Sequence, residues 1–245
     1  MELNQIYNTD CMVGMQNIPD GKVDLIITDP PFAIDFKRMK SNYNRKSEHV
    51  LEGYQDIKKE EYYDFTLNWM REAYRVLSDQ GSMYIISGWT NLKDILNAVD
   101  AVGFHTLNHL VWKYQFGVFT KRRFVTSHYH ILLVTKHPKR YTFNKQDHYP
   151  EDVFEIKRQY WRGEAKTPTK LPVDLVRKLM LYSSNEGDLV LDPFMGSGTV
   201  AVVACMENRQ YLGYEIVEDY CTLANTRVSS IAEGGEGGAT PPPAR

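Results

Sequence analysis

Short β-branched apolar runs alternate along this chain with segments of helical period, and that alternation narrows the fold more than any other feature. Val-Asp-Leu-Ile-Ile-Thr at 23–28 and Ser-Met-Tyr-Ile-Ile-Ser at 82–87 read as buried strands. Between them, residues 60–77 put Phe65, Trp69, Ala73, Val76 and Leu77 on one helical face, with Gly81 just past the expected end. Residues 91–103 predict an amphipathic helix with Leu92, Ile95, Leu96 and Val99 inward and Gly103 as its stop. Strand-like runs follow at 107–112 and 129–135 and bracket a basic, aromatic stretch. Then come a helix at 173–184 that Pro172 can start, a strand at 188–192, a helix at 199–207, a strand at 210–215 and a last helix at 216–228. Such an order predicts an α/β, doubly wound, mostly parallel sheet. The 245 residues suffice for one domain of this kind, expected over 1–231. Residues 232–245, Gly- and Pro-rich without apolar period, predict a flexible tail.

Charge is nearly balanced, 29 Lys+Arg against 31 Asp+Glu, which by itself argues against a nucleic-acid partner. Its distribution argues the other way. Residues 37–59 hold seven basic residues (Lys37, Arg38, Lys40, Arg45, Lys46, Lys58, Lys59) against three acidic, and 113–170 hold thirteen against five, including Lys121, Arg122 and Arg123. Aromatic residues such as Tyr43, Tyr114, Phe124 and Trp161 are interleaved, the mixture that meets phosphates and bases together. The segment 37–59 is long for a compact domain and is expected to be mobile until its ligands bind. No apolar run approaches the ~20 residues of a membrane helix, and the first ten residues lack a signal-peptide layout. Three cysteines, Cys11, Cys205 and Cys221, are odd in number and point to a reducing compartment. No metal site is expected, because no Cys/His pair at ligand spacing lies near another. His128 and His130 read as structural, and Trp69 and Trp89 as core.

Two motifs close two of the strands. Asp29-Pro30-Pro31-Phe32 follows 23–28 directly, at a carboxyl strand end where α/β sheets bind ligands. The prolines stiffen the turn and remove two donors. An acceptor carboxylate, a fixed carbonyl and a flat ring together suit an extruded base with an exocyclic amino group; a plain Pro-Pro loop is the other reading. Asp192-Pro193-Phe194-Met195-Gly196-Ser197-Gly198-Thr199 joins the strand at 188–192 to the helix at 199–207, and glycines there let backbone approach a ligand. No Lys precedes the Thr, so it is not a P-loop; the third Gly of the dinucleotide fingerprint is missing. Glu215 ends the following strand, placed to accept from ribose hydroxyls.

These motifs, in this order, resemble the β class of amino-group DNA methyltransferases over roughly residues 5–228. The resemblance implies a Rossmann-like methyltransferase fold with an antiparallel hairpin in the C-terminal half and a small inserted target-recognition region. It divides the chain into a catalytic half at about 1–113, target recognition at about 114–166 and a cofactor half at about 167–231. It implies S-adenosylmethionine held by Asp10, Cys11, Thr169, Lys170, Asp192, Phe194, Gly196, Ser197, Gly198, Thr199 and Glu215. Catalysis falls to Asp29, Pro30, Pro31 and Phe32, the last standing where the family usually has Tyr. Residues 167–172 resemble the segment before the cofactor strand but carry Thr167, Lys170 and Leu171 in place of its usual His and Gln-Lys. DNA is expected on Lys37, Arg38, Lys40, Arg45, Lys46, Lys121, Arg122 and Arg123.

The implied reaction is methyl transfer to the amino group of a flipped base, with Asp29 and the Pro30 carbonyl accepting hydrogen bonds and Phe32 stacking. Asp in the first tetrad position goes mainly with adenine N6 and Ser with cytosine N4, so adenine is the expected target and cytosine N4 the alternative. Cytosine C5 chemistry needs a Cys that typically follows Pro, and no cysteine here does. A nucleotide-fold oxidoreductase, a non-enzymatic DNA-binding module, and RNA or protein as methyl acceptor are the remaining readings. The resemblance points to a prokaryotic or viral cytoplasm, acting alone or with a cognate restriction endonuclease, and admits a homodimer.

Overall fold

A computed structural model describes residues 2–33, 57–115, 117, 120–159 and 170–232. Among them eight strands form one sheet: β1 (Gln5–Tyr7), β2 (Val23–Thr28), β3 (Leu77–Ser87), β4 (His105–Lys113), β5 (His128–Thr135), β6 (Val153–Glu155), β7 (Leu189–Asp192) and β8 (Gln210–Tyr214). Their spatial order is β1-β8-β7-β2-β3-β5-β4-β6. Strand β5 runs against both of its neighbours, and every other pairing is parallel. The chain moves one way along the sheet from β2 to β3 and the other way from β7 to β8. The order therefore reverses between β2 and β7, the point where such sheets open a crevice.

Central strands show no polar alternation because both faces are covered; Val23, Leu25, Ile26 and Ile27 are all fully buried. Helices α1 (Cys11–Met15), α2 (Tyr62–Val76) and α3 (Leu92–Val102) close one core, and α4 (Val173–Ser183), α5 (Thr199–Met206) and α6 (Glu218–Ala232) the other. Helix α2 buries Tyr62, Thr66, Trp69, Met70, Ala73 and Val76, spaced as one face. Helix α3 ends on Gly103 at φ +94, the left-handed cap its position predicts. Helix α5 buries Thr199 through Ala204 without a break, as a helix enclosed on all sides must.

Several expectations are corrected. The antiparallel hairpin is β4–β5, spanning 105–135 at mid-chain rather than in the C-terminal half. In the C-terminal half β7 and β8 are joined through a helix and must run parallel; the β4–β5 connection carries no helix among its described residues. Strand β3 begins at Leu77, five residues early, because a bulge lets Val23 pair with Leu77 while Leu25 pairs with Ser82. Gly81 lies inside that bulge, where a Cβ would stand 2.7 Å from the Leu77 side chain and 3.0 Å from the Asp24 carbonyl. It serves close approach rather than helix termination. Trp89 is 63% exposed in the loop after β3, and Leu96 lies on the outer face of α3. Strands β1 and β6 and helix α1 were not anticipated. Most of the 37–59 segment (residues 37–56) and the tail from 233 lie outside the described residues. No described helix is long and apolar enough to cross a membrane.

Candidate active site

Because β2 and β7 pair side by side, Leu25 with Val190 and Ile26 with Leu191, Asp29 and Asp192 emerge at one edge of the sheet. Between them opens a cavity of about 730 Å³, within the range of small-molecule sites. Its floor is the turn after β7. Asp192 Oδ1 accepts the Phe194 N–H at 3.0 Å, and the Met195 N–H donates to the Tyr214 carbonyl at 2.9 Å. Gly196 and Gly198 hold φ +51 and +79, a region side chains avoid. Glu215 ties the turn to the next strand end: Oε2 accepts from the Gly196 N–H and Oε1 from the Val217 N–H, both at 2.8 Å. Asn8, after β1, donates to the carbonyls of Glu215 and Ile216. Arg227 on α6 donates to the Ser197 carbonyl and lies 3.2 Å and 3.3 Å from the hydroxyl oxygens of Ser197 and Thr199. The turn is thus fixed from three sides.

The lining is acidic. Asp10, Asp29, Asp192, Glu215 and Glu218 face the cavity, and no Lys, Arg or His does so among the described residues. Burial first, then the charge of Asp192, pushes the Asp29 carboxyl up to about 8. Asp192 rises to about 7 through burial, with Glu215 adding to it and the Phe194 N–H opposing. Glu215 is raised by burial against the pull of its backbone amides. Asp29 Oδ1 is enclosed and has no hydrogen-bond partner among the described residues. It is an acceptor held ready for a donor from outside. Cys11, also on the wall, is pushed up to about 12 by burial and by Asp10, so it stays a thiol. Cys205 and Cys221 are raised by burial as well, and none of the three is a thiolate nucleophile at neutral pH.

Of the tetrad, Asp29 and Pro31 line the cavity. Pro30 is buried behind it, and the half-buried Phe32 turns outward to stack on Tyr129 of β5, centroids 6.0 Å apart and planes 10° apart. Asp10, Cys11, Asp192, Phe194, Gly196, Ser197, Thr199 and Glu215 also line it. Asp10 additionally caps α1, its Oδ1 accepting the Met12 N–H at 2.7 Å. Gly198 does not face the cavity; it makes room for Ala224, whose Cβ would stand 2.7 Å from any Cβ added there. Lys170 is half-buried outside the lining, its ammonium disfavoured by burial and by Arg227. The neighbouring Leu171 lines the cavity instead. Thr169 lies outside the described residues, as do Lys37, Arg38, Lys40, Arg45 and Lys46. Lys121, Arg122 and Arg123 are exposed on the β4–β5 connection. His130 shares a 2.8 Å contact with His109 across β4 and β5.

Sequence reasoning missed the opposite wall. Phe65 and Asn68 reach the cavity from α2, with Ile57, Tyr214 and Tyr220. Phe65 meets Phe194 at 5.8 Å, and Trp69 meets it edge-on at 5.5 Å. A helical apolar stripe reads as core, and nothing local marks which of its members borders a ligand.

Comparison with known proteins agrees with this layout. The family model N6_N4_Mtase, described as DNA methylase, matches residues 23–226. Type II methyltransferase M.HpaI of Haemophilus parainfluenzae is 31% identical over 247 residues, covering 92% of this chain and 74% of its own length. The crystal structure of the M1.HpyAVI–SAM complex superposes with a TM-score of 0.67 at 25% identity, over 91% of this chain and 98% of that one. PvuII DNA methyltransferase, cytosine-N4-specific, shares the fold at a TM-score of 0.72 and 18% identity, over 90% of this chain and 84% of its own.

Proposed function

The chain belongs to the DNA methylase family, and from that premise we propose that it transfers a methyl group from S-adenosylmethionine to the N6 amino group of adenine in duplex DNA. The role is that of the modification enzyme of a restriction-modification system, as the Type II name of its relative suggests. One observation carries the reading: the tetrad carboxylate and the glycine turn open from adjacent strands onto a single acidic cavity.

A cavity with five carboxyl groups and no lining cation among the described residues repels phosphates and suits a positively charged ligand. That disfavours a dinucleotide and fits a sulfonium. When bound, S-adenosylmethionine supplies an activated methyl group, so no covalent enzyme intermediate is needed. Phe194, Gly196, Ser197 and Thr199 would hold its amino-acid end, Glu215 its ribose through the lone pairs its amide bonds leave open, and Asp10 its adenine.

Asp29 does two things in this scheme. Its unpartnered Oδ1, with the Pro30 carbonyl, accepts hydrogen bonds from the amino group and turns that nitrogen's lone pair toward the methyl carbon. Its raised proton affinity then makes it a capable acceptor for the proton the methylated nitrogen must lose. Phe32 offers a ring face to the displaced base. The test is transfer of radiolabelled methyl groups to PCR-amplified DNA, followed by mass spectrometry of the nucleosides. N6-methyladenine is the expected product; N4-methylcytosine would reassign the base, and no label in DNA would overturn the function.

A further inference from the structure

Phe124 is 99% exposed, the most exposed large apolar side chain among the described residues. Its place explains why such a ring is tolerated there. It directly follows exposed Lys121, Arg122 and Arg123, with half-covered Val125 after it. This tip belongs to the connection between β4 and β5, which leaves the sheet at the carboxyl edge that also carries Asp29.

The root of the connection is stiff. The Tyr114 N–H donates to the Ser127 carbonyl at 3.0 Å, and the Tyr114 hydroxyl reaches the Thr126 carbonyl at 3.3 Å. Gly117 packs so closely on Thr126 that a Cβ would overlap its carbonyl oxygen. The Arg158 guanidinium lies 3.8 Å over Tyr114 and 5.5 Å from Tyr129, and Trp112 stacks on Tyr129 at 5.5 Å. Tyr129 in turn stacks on Phe32. One aromatic block therefore supports both the tetrad ring and the arm that ends in Phe124. Phe124 and Tyr129 are five positions apart, a reach of at most about 18 Å.

An apolar ring on a cationic tip fits one partner well, a polyanion with an apolar interior. Cations hold the phosphates, and the ring enters between base steps, as wedge side chains do. We propose that Phe124 is such a wedge: it enters the duplex beside the target base and fills the space left as that base swings toward Asp29 and Phe32. The proposal rests on the methyltransferase reading above and adds the element that stabilises the opened duplex.

The experiment uses the full chain. Sequencing of PCR-amplified DNA methylated by the protein supplies the site, and duplexes of that site are made with a normal pair, with an abasic position opposite the target, and with 2-aminopurine as target. For Phe124→Ala, kcat/KM on the paired duplex should fall by roughly tenfold or more and recover on the abasic duplex, where the target has no pairing partner to leave. The 2-aminopurine fluorescence rise expected with the wild type should be lost in Phe124→Ala, and Phe124→Trp should restore it. Equal activity of Phe124→Ala and wild type on the paired duplex overturns the wedge while leaving DNA methylation standing. An equal loss on paired and abasic duplexes also overturns it, since that marks a plain surface contact. So does a wild-type dimer abolished by Phe124→Ala in sedimentation, which would give the ring a second copy as its cover. Absence of methyl transfer by the wild type falls on the proposed function instead, and takes the wedge with it.

Discussion

Around β2 and β7 the sheet edge is a hollow lined by carboxyl groups, closed by helices and fixed by backbone hydrogen bonds. Three strands away, around β4 and β5, the same edge is open, basic at its tip and built from stacked rings. A near-zero net charge conceals both. One side suits a small cation and the other an extended anion, and Phe32 stands between them, attached to the acidic side by sequence and to the aromatic side by its stack on Tyr129. The two substrates of the proposed reaction carry opposite charge, and the edge is divided accordingly.

If the division is real, the two sides fail separately. Asp29→Ala should lower methyl transfer by on the order of 10²–10⁴, while cofactor affinity by calorimetry changes by no more than about threefold. A proportionate loss of cofactor binding would make Asp29 part of the cofactor pocket alone. Replacing Lys121, Arg122 and Arg123 together by Ala should weaken DNA binding on the order of a hundredfold at low salt and lower the slope of log K against log salt by about 3. Cofactor affinity should not move. An unchanged slope would mean the three cations do not meet phosphate.

Within the acidic side, Gly198 tests packing against contact. Gly198→Ala forces a Cβ onto Ala224 at φ +79 and should cost roughly 2–4 kcal/mol, a Tm fall of roughly 5–15 °C. Loss of cofactor affinity at an unchanged Tm would place it in the site instead. The remaining effect is on pH. Asp29 and Asp192 keep protons in the folded state that the unfolded chain has already released, up to about 8 and about 7 against the usual 3.8. Stability should therefore fall as pH climbs from about 4 to about 8, by on the order of 1 kcal/mol per pH unit for each retained proton, and Asp29→Asn should flatten the slope. Denaturant titrations across that range measure it; a slope that Asn leaves unchanged would remove Asp29 from the account.

The strands and long helices were legible because β-branched runs and helical stripes are local signals. Strands β1 and β6, three residues each, and the five-residue α1 are too short to show a period, although Asp10 is an ordinary cap residue in plain view. The acidic lining was half legible: Asp10, Asp29, Asp192 and Glu215 close strands or turns that motifs mark. Phe65 and Asn68 were not, since α2 reaches the cavity only through tertiary packing. Trp89 misled because large rings are core by habit, and the loop after β3 has no core to offer it. The hairpin was misplaced because resemblance conveys an element more faithfully than its position in the chain.

The raised carboxyls of the cavity have a consequence for turnover. Near neutral pH Asp29 and Asp192 sit close to their midpoints, so the site is a small proton reservoir. A cation entering it favours their charged forms and drives protons into the buffer. A neutral thioether left in the cavity after methyl transfer would no longer favour those charged forms, and the carboxyls would take protons back. Asp192 and Glu215 would thereby loosen their hold on the by-product, while Asp29 would exchange its proton with the amino group, so that each cycle would carry a proton exchange that follows the change in ligand charge.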